Sequence, residues 1–403
     1  MTTTATDPDA PATTAALSAR RVAWATVALA VGGFAIGTTE FVTMGLLPEM
    51  ATGVSVSIPQ AGHMISAYAL GVVIGAPVIA VFGARLPRRA LLVALMAAFA
   101  VANAVSALAQ DYPQLVGARF LSGIPHGVYF GLASLAAASM VSPERRGRAV
   151  SRVMLGLPVA TVVGVPAGTW MGQHLGWRTA YGAVALIGVL TVLLVLLLVP
   201  STPGDRTATG RRELAAFREP QVWLTLLVGA VGFGGMFAMY SYIAPTVTGV
   251  TGLPKSAVPV FLLAFGVGAV AGTMLGGRLA DWSVLRSLVA SSIAMGLSLA
   301  LFTVTSQWFV PGLVTAFVVS AVGAVLVVNL QLRLMHVAGD ARTLGAALNH
   351  SSLNAANALG AWLGGLVIAA GWGYTAPSWV GAGLSLAGLL VLAWSVLLHR
   401  RTA

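Results

Sequence analysis

A carboxylate, Glu40, lies in the stretch GTTEFVTMGLLPEM (37–50), inside an apolar run that begins near Val22. A charge placed deep in such a run costs several kcal/mol unless it is paired or protonated. Arg119, in LVGARFLSGIPHG (115–127), is the evident partner. Glu40 precedes Pro48 by eight residues and Arg119 follows Pro113 by six. At about 1.5 Å per helical residue the two reach similar depths. The expectation is an ion pair facing a helix-bundle interior, available for proton coupling or for contact with a substrate. The simpler alternative is a static tie between two helices. Glu49, just beyond Pro48, reads as a solvated loop residue.

Further polar side chains interrupt apolar runs. His350, Asn354 and Asn357 recur at +4 and +3, so they share one helix face. Amides and an imidazole in a lipid-spanning helix must face protein or a water-filled cavity. Either they bind neighbouring helices or they form a cavity wall that hydrogen-bonds substrate. His126 and Tyr129 lie a turn apart, deeper than Arg119, and Tyr240 falls in FGGMFAMYSYIAP (233–245). Asn329 sits near the end of another apolar run. With the stripe, these are the candidate substrate-binding residues. His63, nearer a helix end, is a weaker candidate.

The elements that carry them follow from composition. The chain has 403 residues, 58% hydrophobic and 8% charged, whereas a soluble domain is about 25% charged. Its apolar runs are long enough to cross about 30 Å of hydrocarbon, and alternating strand-like segments are lacking. The sequence predicts an all-α integral membrane protein of twelve spans: 22–47, 60–82, 89–109, 114–141, 147–171, 177–199, 221–247, 256–279, 286–305, 308–336, 343–369 and 376–398. With the N-terminus in the cytoplasm, 19 of the 22 Lys and Arg residues fall on cytoplasmic segments. This bias favours cytoplasmic N- and C-termini in a multi-pass protein of the inner (plasma) membrane. The net charge of +11 is thereby assigned to topology rather than to nucleic acid.

The spans divide in two. Residues 1–19 read as a disordered cytoplasmic tail, 20–199 as one six-helix bundle, 200–220 as a cytoplasmic linker and 221–399 as a second bundle. A shift of 197 residues places Pro48 on Pro245, Gly71 and Gly75 on Gly268 and Gly272, Arg89 on Arg286, and Gly176 on Gly373. The same shift places Glu40 on Phe237 and Arg119 on Ala316, so the charged chemistry belongs to the first repeat. Paired six-span repeats around a central site are a transporter architecture.

GTTEFVTMGLLPEMA, LVGARFLSGIPHG, GLPVATVVGVPAG (156–168) and GRLADW (277–282) together resemble the 12-span drug:proton antiporter branch of the major facilitator superfamily. Arabinose-efflux and chloramphenicol-resistance exporters are the most similar. The resemblance implies that Gly164, Pro166 and Gly168 belong to an antiporter motif that fits the fifth span against the other half. Gly164 and Gly168 also form a small-xxx-small pair that permits close helix approach. It implies that Asp281 acts as a conformational latch. On its own position, Asp281 could cap the ninth span or pair with Arg286 or Arg342. In the first repeat Ala84 stands where many members of the superfamily have Asp.

The resulting expectation is a proton-coupled exporter of small neutral or amphiphilic compounds, such as chloramphenicol-like antibiotics, sugars or nucleosides, as in multidrug resistance. Its partners are substrate, protons and the lipid bilayer, and one chain supplies both halves, so it works as a monomer. An importer or facilitator is the alternative within transport, and a membrane sensor or scaffold is a third reading. No phosphate-binding loop, metal-ligand cluster or nucleophile–base pair occurs, and cysteine is absent. No enzymatic activity, metal or cofactor is expected; the proton gradient supplies the energy.

Overall fold

The computed structural model describes residues 18–83, 86–142, 145–201, 219–338 and 342–402. Most of the expected terminal tail and linker therefore lies outside the described residues, as does Ala84. The described chain is helical, and no strand occurs among the described residues. Among the described residues, ten helical stretches are long and apolar enough to cross a membrane. Large apolar side chains point outward along them, as Leu186, Val189, Leu190, Leu193 and Leu197 do on a single helix. So large an apolar exterior suits lipid and not water: this is a multi-pass membrane protein.

In chain order, α1 spans Ala19–Gly45, α2 Leu47–Gly53, α3 Ile58–Gly83, α4 Arg88–Leu108, α5 Tyr112–Gly123 and α6 His126–Ser139. Then come α7 Arg146–Met154, α8 Gly156–Val159, a π-helical turn Ala160–Gly164, α9 Val165–Leu175 and α10 Trp177–Leu198. The C-terminal segment contains α11 Pro220–Leu227, a π-helical turn Val228–Gly232, α12 Gly234–Tyr240, α13 Ile243–Gly249, α14 Val258–Thr305, α15 Phe309–Val337, α16 Arg342–Ala369 and α17 Ala376–Thr402.

The breaks have local causes. Pro48 in the first turn of α2 has no N–H to continue α1, and Pro125 separates α5 from α6 in the same way. At 48 residues α14 is about 72 Å long, more than twice the hydrocarbon thickness. It turns at Ser283, whose backbone is extended (φ −173°, ψ 114°). The Ser283 hydroxyl accepts from the Arg286 N–H at 3.3 Å and so caps the helical stretch beyond the turn. Asp281, for which a cap on the ninth span and a pairing with Arg286 or Arg342 are both open in sequence, is exposed, and it forms no ion pair among the described residues. The Arg286 guanidinium lies over the Trp282 ring at 5.3 Å. The Arg342 side chain lies outside the described residues.

The 197-residue shift reappears in the packing. A Cβ on Gly71 would strike the carbonyl of Phe120, and one on Gly268 the carbonyl of Phe317. Gly75 abuts the carbonyl of Ile124, and Gly272 that of Ala321. Each partner, like each glycine, is 197 positions from its counterpart. Gly176 and Gly373 also correspond, with φ of 90° and 80° in left-handed turns that favour glycine.

The N-terminal and C-terminal segments meet along two seams. In one, Ser66 of α3 donates to the carbonyl of Ala358 in α16 at 3.0 Å. In the other, Gly266 of α14 lies against the backbone of Thr161 and Val162. Gly164 and Gly168, expected at this seam, instead face α1: Gly164 meets Thr38 and Phe34, and Gly168 meets Val42. Pro166 begins α9 directly after the π-helical turn. Within the motif, then, Gly164 and Gly168 pack the fifth span against α1, while Thr161 and Val162 meet Gly266 of the C-terminal segment.

Candidate functional site

Arg119 and Glu40 are both buried, but they do not form the expected ion pair. Arg119 donates from Nη1 to the Thr39 hydroxyl at 3.0 Å and from Nη2 to the Thr39 carbonyl at 3.1 Å. Its guanidinium lies 4.4 Å from the Tyr68 ring centroid and 5.3 Å from that of Tyr181. Thr39 in turn donates to Asn103 Oδ1 at 2.5 Å, and Thr43 shares a 2.6 Å hydrogen bond with Tyr181. The reason lies in helix geometry. Successive residues of α1 point about 100° apart, so Thr39 faces α4 and α5 while Glu40 faces α6 and α16. Both terminal nitrogens of the cation are cradled by Thr39, while its Nε is buried without a partner.

His126 Nδ1 lies 3.9 Å from Glu40 Oε2, too long for a hydrogen bond. The same nitrogen lies 3.1 Å from the Tyr68 hydroxyl. Asn357 of α16 lies beside Glu40, and both of its amide atoms are buried without a hydrogen-bond partner. Asn354 donates to the His350 carbonyl at 3.0 Å, leaving its Oδ1 buried and unpartnered. Buried polar groups normally find partners, since each unmet one costs about 1–3 kcal/mol. A face with three such atoms next to a buried carboxylate is equipped to hydrogen-bond a guest or to respond to a proton.

Aromatic rings close the site. Phe41 stacks on Phe237 with centroids 6.5 Å apart and meets Tyr240 edge-on at 6.0 Å. Tyr240 stacks on Phe265 at 3.9 Å. His350 stacks on Phe130 at 5.8 Å, with the rings inclined by 5°. N-terminal and C-terminal segments thus meet ring to ring around Glu40.

Of the sequence candidates, Glu40, His126, Tyr240, His350, Asn354 and Asn357 gather here. Tyr129 does not: its hydroxyl donates to the Leu29 carbonyl at 2.9 Å and fits against Gly32, inside the N-terminal core. Asn329 does not either. It donates to Val325 of its own helix at 2.9 Å and to Gly276 of α14 at 3.4 Å, tying α15 to α14. His63 pairs with the Tyr112 hydroxyl at 2.8 Å, away from Glu40. Glu49 is not simply solvated; it forms an ion pair with Lys255 at 3.3 Å. Sequence reasoning missed Thr39, Tyr68 and Asn103. The signal for Asn103 was available, since it is an amide in the apolar run AVANAVSAL, as Asn357 is in its own run. Among the described residues no group of His, Asp and Glu could hold a metal.

Arg119→Lys tests the cradle. An ammonium cannot give the paired donors and flat stack of a guanidinium, so two charged hydrogen bonds are weakened. We expect a loss of about 1–3 kcal/mol, read as a lower melting temperature of the purified protein in lipid nanodiscs.

The broken helices, the duplicated packing and the polar site between two sets of spans define a membrane transporter. The chain belongs to the Major Facilitator Superfamily, whose sequence pattern matches residues 29–335. It is 40% identical to the inner membrane transport protein YdhP of Escherichia coli, over 91% of this chain and 94% of that protein. It is 34% identical to a chloramphenicol resistance protein of Streptomyces lividans, over 91% of this chain and 94% of that one. The crystal structure of a D-xylose–proton symporter shares the fold, with a TM-score of 0.75 at 16% identity over 92% of this chain and 97% of that one. Proteins of this superfamily are transporters, not enzymes, and require no cofactor.

Proposed function

We propose that the protein is a proton-coupled exporter of small neutral or amphiphilic molecules, working by alternating access, with Glu40 as the proton site. In this reading twelve spans form two six-helix bundles, 20–199 and 221–399, joined by a cytoplasmic linker at 200–220, and both termini are cytoplasmic. The break at Ser283 in α14 and the 26-residue helix α3 support the span count. The distribution of arginine supports the orientation. The plasma membrane is its location, and one chain suffices for function.

One observation carries the mechanism. A buried carboxylate of the N-terminal segment forms no ion pair with the guanidinium of Arg119 nearby, and an amide of the C-terminal segment, Asn357, lies beside it. Ionised, Glu40 draws on His126 and on the Asn357 amide hydrogens. Protonated, it releases both. The proton state of one half is thus felt by the other, and each state favours a different opening of the cavity. One proton supplies about 1.4 kcal/mol per pH unit and about 2.3 kcal/mol per 100 mV. Together these sustain roughly a few-hundred-fold uphill gradient of a neutral solute.

The test is transport into everted membrane vesicles over a panel containing chloramphenicol, pentoses and nucleosides. At least one neutral compound is expected to accumulate when the interior is acid, and a proton-conducting ionophore is expected to abolish that accumulation. Accumulation indifferent to the ionophore would contradict proton coupling. Uptake in the opposite sense would make the protein an importer.

A further inference from the structure

We propose that Lys255 and Glu49 form a latch that joins the two halves at the end of the molecule distal to the N-terminus, and that it must open for the central site to reach that side. This rests on the alternating-access reading above but not on the identity of the proton site. Lys255 is the chain's only lysine. It lies in a short 3-10 turn, Lys255–Ala257, that leads into α14. Glu49 lies in the first turn of α2. Their atoms Nζ and Oε1 are 3.3 Å apart. Among the described residues this is the one ion pair that joins the N-terminal and C-terminal segments.

A second contact holds the same turn. Gln173 of α9 donates from Nε2 to the Lys255 carbonyl at 3.0 Å. Two helices of the N-terminal segment therefore grip one turn of the C-terminal segment, one by its side chain and one by its backbone. The grip also has reserve. Glu49 Oε2 and Gln173 Oε1 are both buried and unpartnered, and an ammonium carries three donors, of which the contact with Glu49 engages one.

The exposures of the partners suit a contact made and broken in each cycle. The Glu49 side chain is 13% exposed and that of Lys255 66%. The lysine can swing into solvent at little cost, while the carboxylate stays as its docking point. A pair this exposed biases an equilibrium by about fivefold at most. That is enough to set the resting state of two conformations of similar energy and too little to lock it.

The chain has no cysteine, so spin labels can be placed without removing native thiols. One label pair replaces two exposed glutamines at the distal end, Gln110→Cys and Gln307→Cys. A second replaces Ser139→Cys and His336→Cys at the opposite end. Distances are measured by pulsed electron resonance in nanodiscs. Lys255→Met and Glu49→Gln are each expected to raise the fraction of long distal distances about two- to fivefold. The double exchange Glu49→Lys with Lys255→Glu is expected to restore the parent distribution. Distal distances unchanged in both single variants overturn the latch, as does a double exchange that behaves like the singles. Distal opening without shortening at the opposite end would leave the latch standing and refute alternating access. A variant that misfolds is recognised by its elution profile, and the other single variant with the double exchange then decides.

Discussion

Gly272→Val is expected to abolish production of folded protein, and Gly75→Val to do the same. These glycines hold equivalent places in the two repeats. The added Cβ of one would strike the carbonyl of Ala321 and that of the other the carbonyl of Ile124. A side chain in that position could rotate away, but a backbone carbonyl cannot move unless its helix moves. Overpacking a well-filled interior costs about 1–3 kcal/mol when side chains can yield, and forced separation of two spans costs more. Gly131 is the control, because nothing lies within 4 Å of its added Cβ. Gly131→Ala is expected to be tolerated and even to gain about 0.5–1 kcal/mol of helix stability. The fraction of monodisperse protein after detergent extraction reads all three. If Gly75→Val and Gly272→Val were both recovered at parental levels, the close crossings would not exist as described.

Glu40→Gln is expected to separate binding from coupling. Glutamine keeps the shape of a protonated glutamate, so the protein should fold and still exchange substrate down its gradient. It cannot release a proton, so uphill accumulation should fall to the passive level. The loss is then the whole of the gradient-driven factor, roughly a few-hundred-fold at one pH unit and 100 mV. Asn357→Leu should lower coupling less than Glu40→Gln, because it removes the amide that responds to the proton and leaves the proton site in place. Equal loss of exchange and of uphill accumulation in Glu40→Gln would mean instead that the carboxylate binds substrate.

Much of this was legible in the sequence because lipid leaves few options. Long apolar runs and a carboxylate within one of them follow from the cost of burying polar groups in lipid. The repeat was legible through glycines whose packing permits no substitute. Helix rotation and breaks were harder to read. Depth along straight helices placed Arg119 opposite Glu40, but depth says nothing about azimuth, and Arg119 turns to Thr39. Tyr129 and Asn329 occur at plausible depths too, yet face their own neighbouring helices. Gly164 and Gly168 were rightly read as a close-approach pair, but spacing alone does not say which helix approaches, and it is α1. Lys255 is isolated in sequence, and its partner Glu49 lies 206 positions earlier. No local pattern links them.

In the proposed mechanism Glu40 carries the proton that is exchanged for substrate. It is tested most directly by following pH in a weakly buffered suspension of purified protein while a transported compound is added. The account predicts proton release from the parent on binding and none from Glu40→Gln, with the compound still bound. Proton release from Glu40→Gln equal to that of the parent would place the coupling site elsewhere and contradict the account.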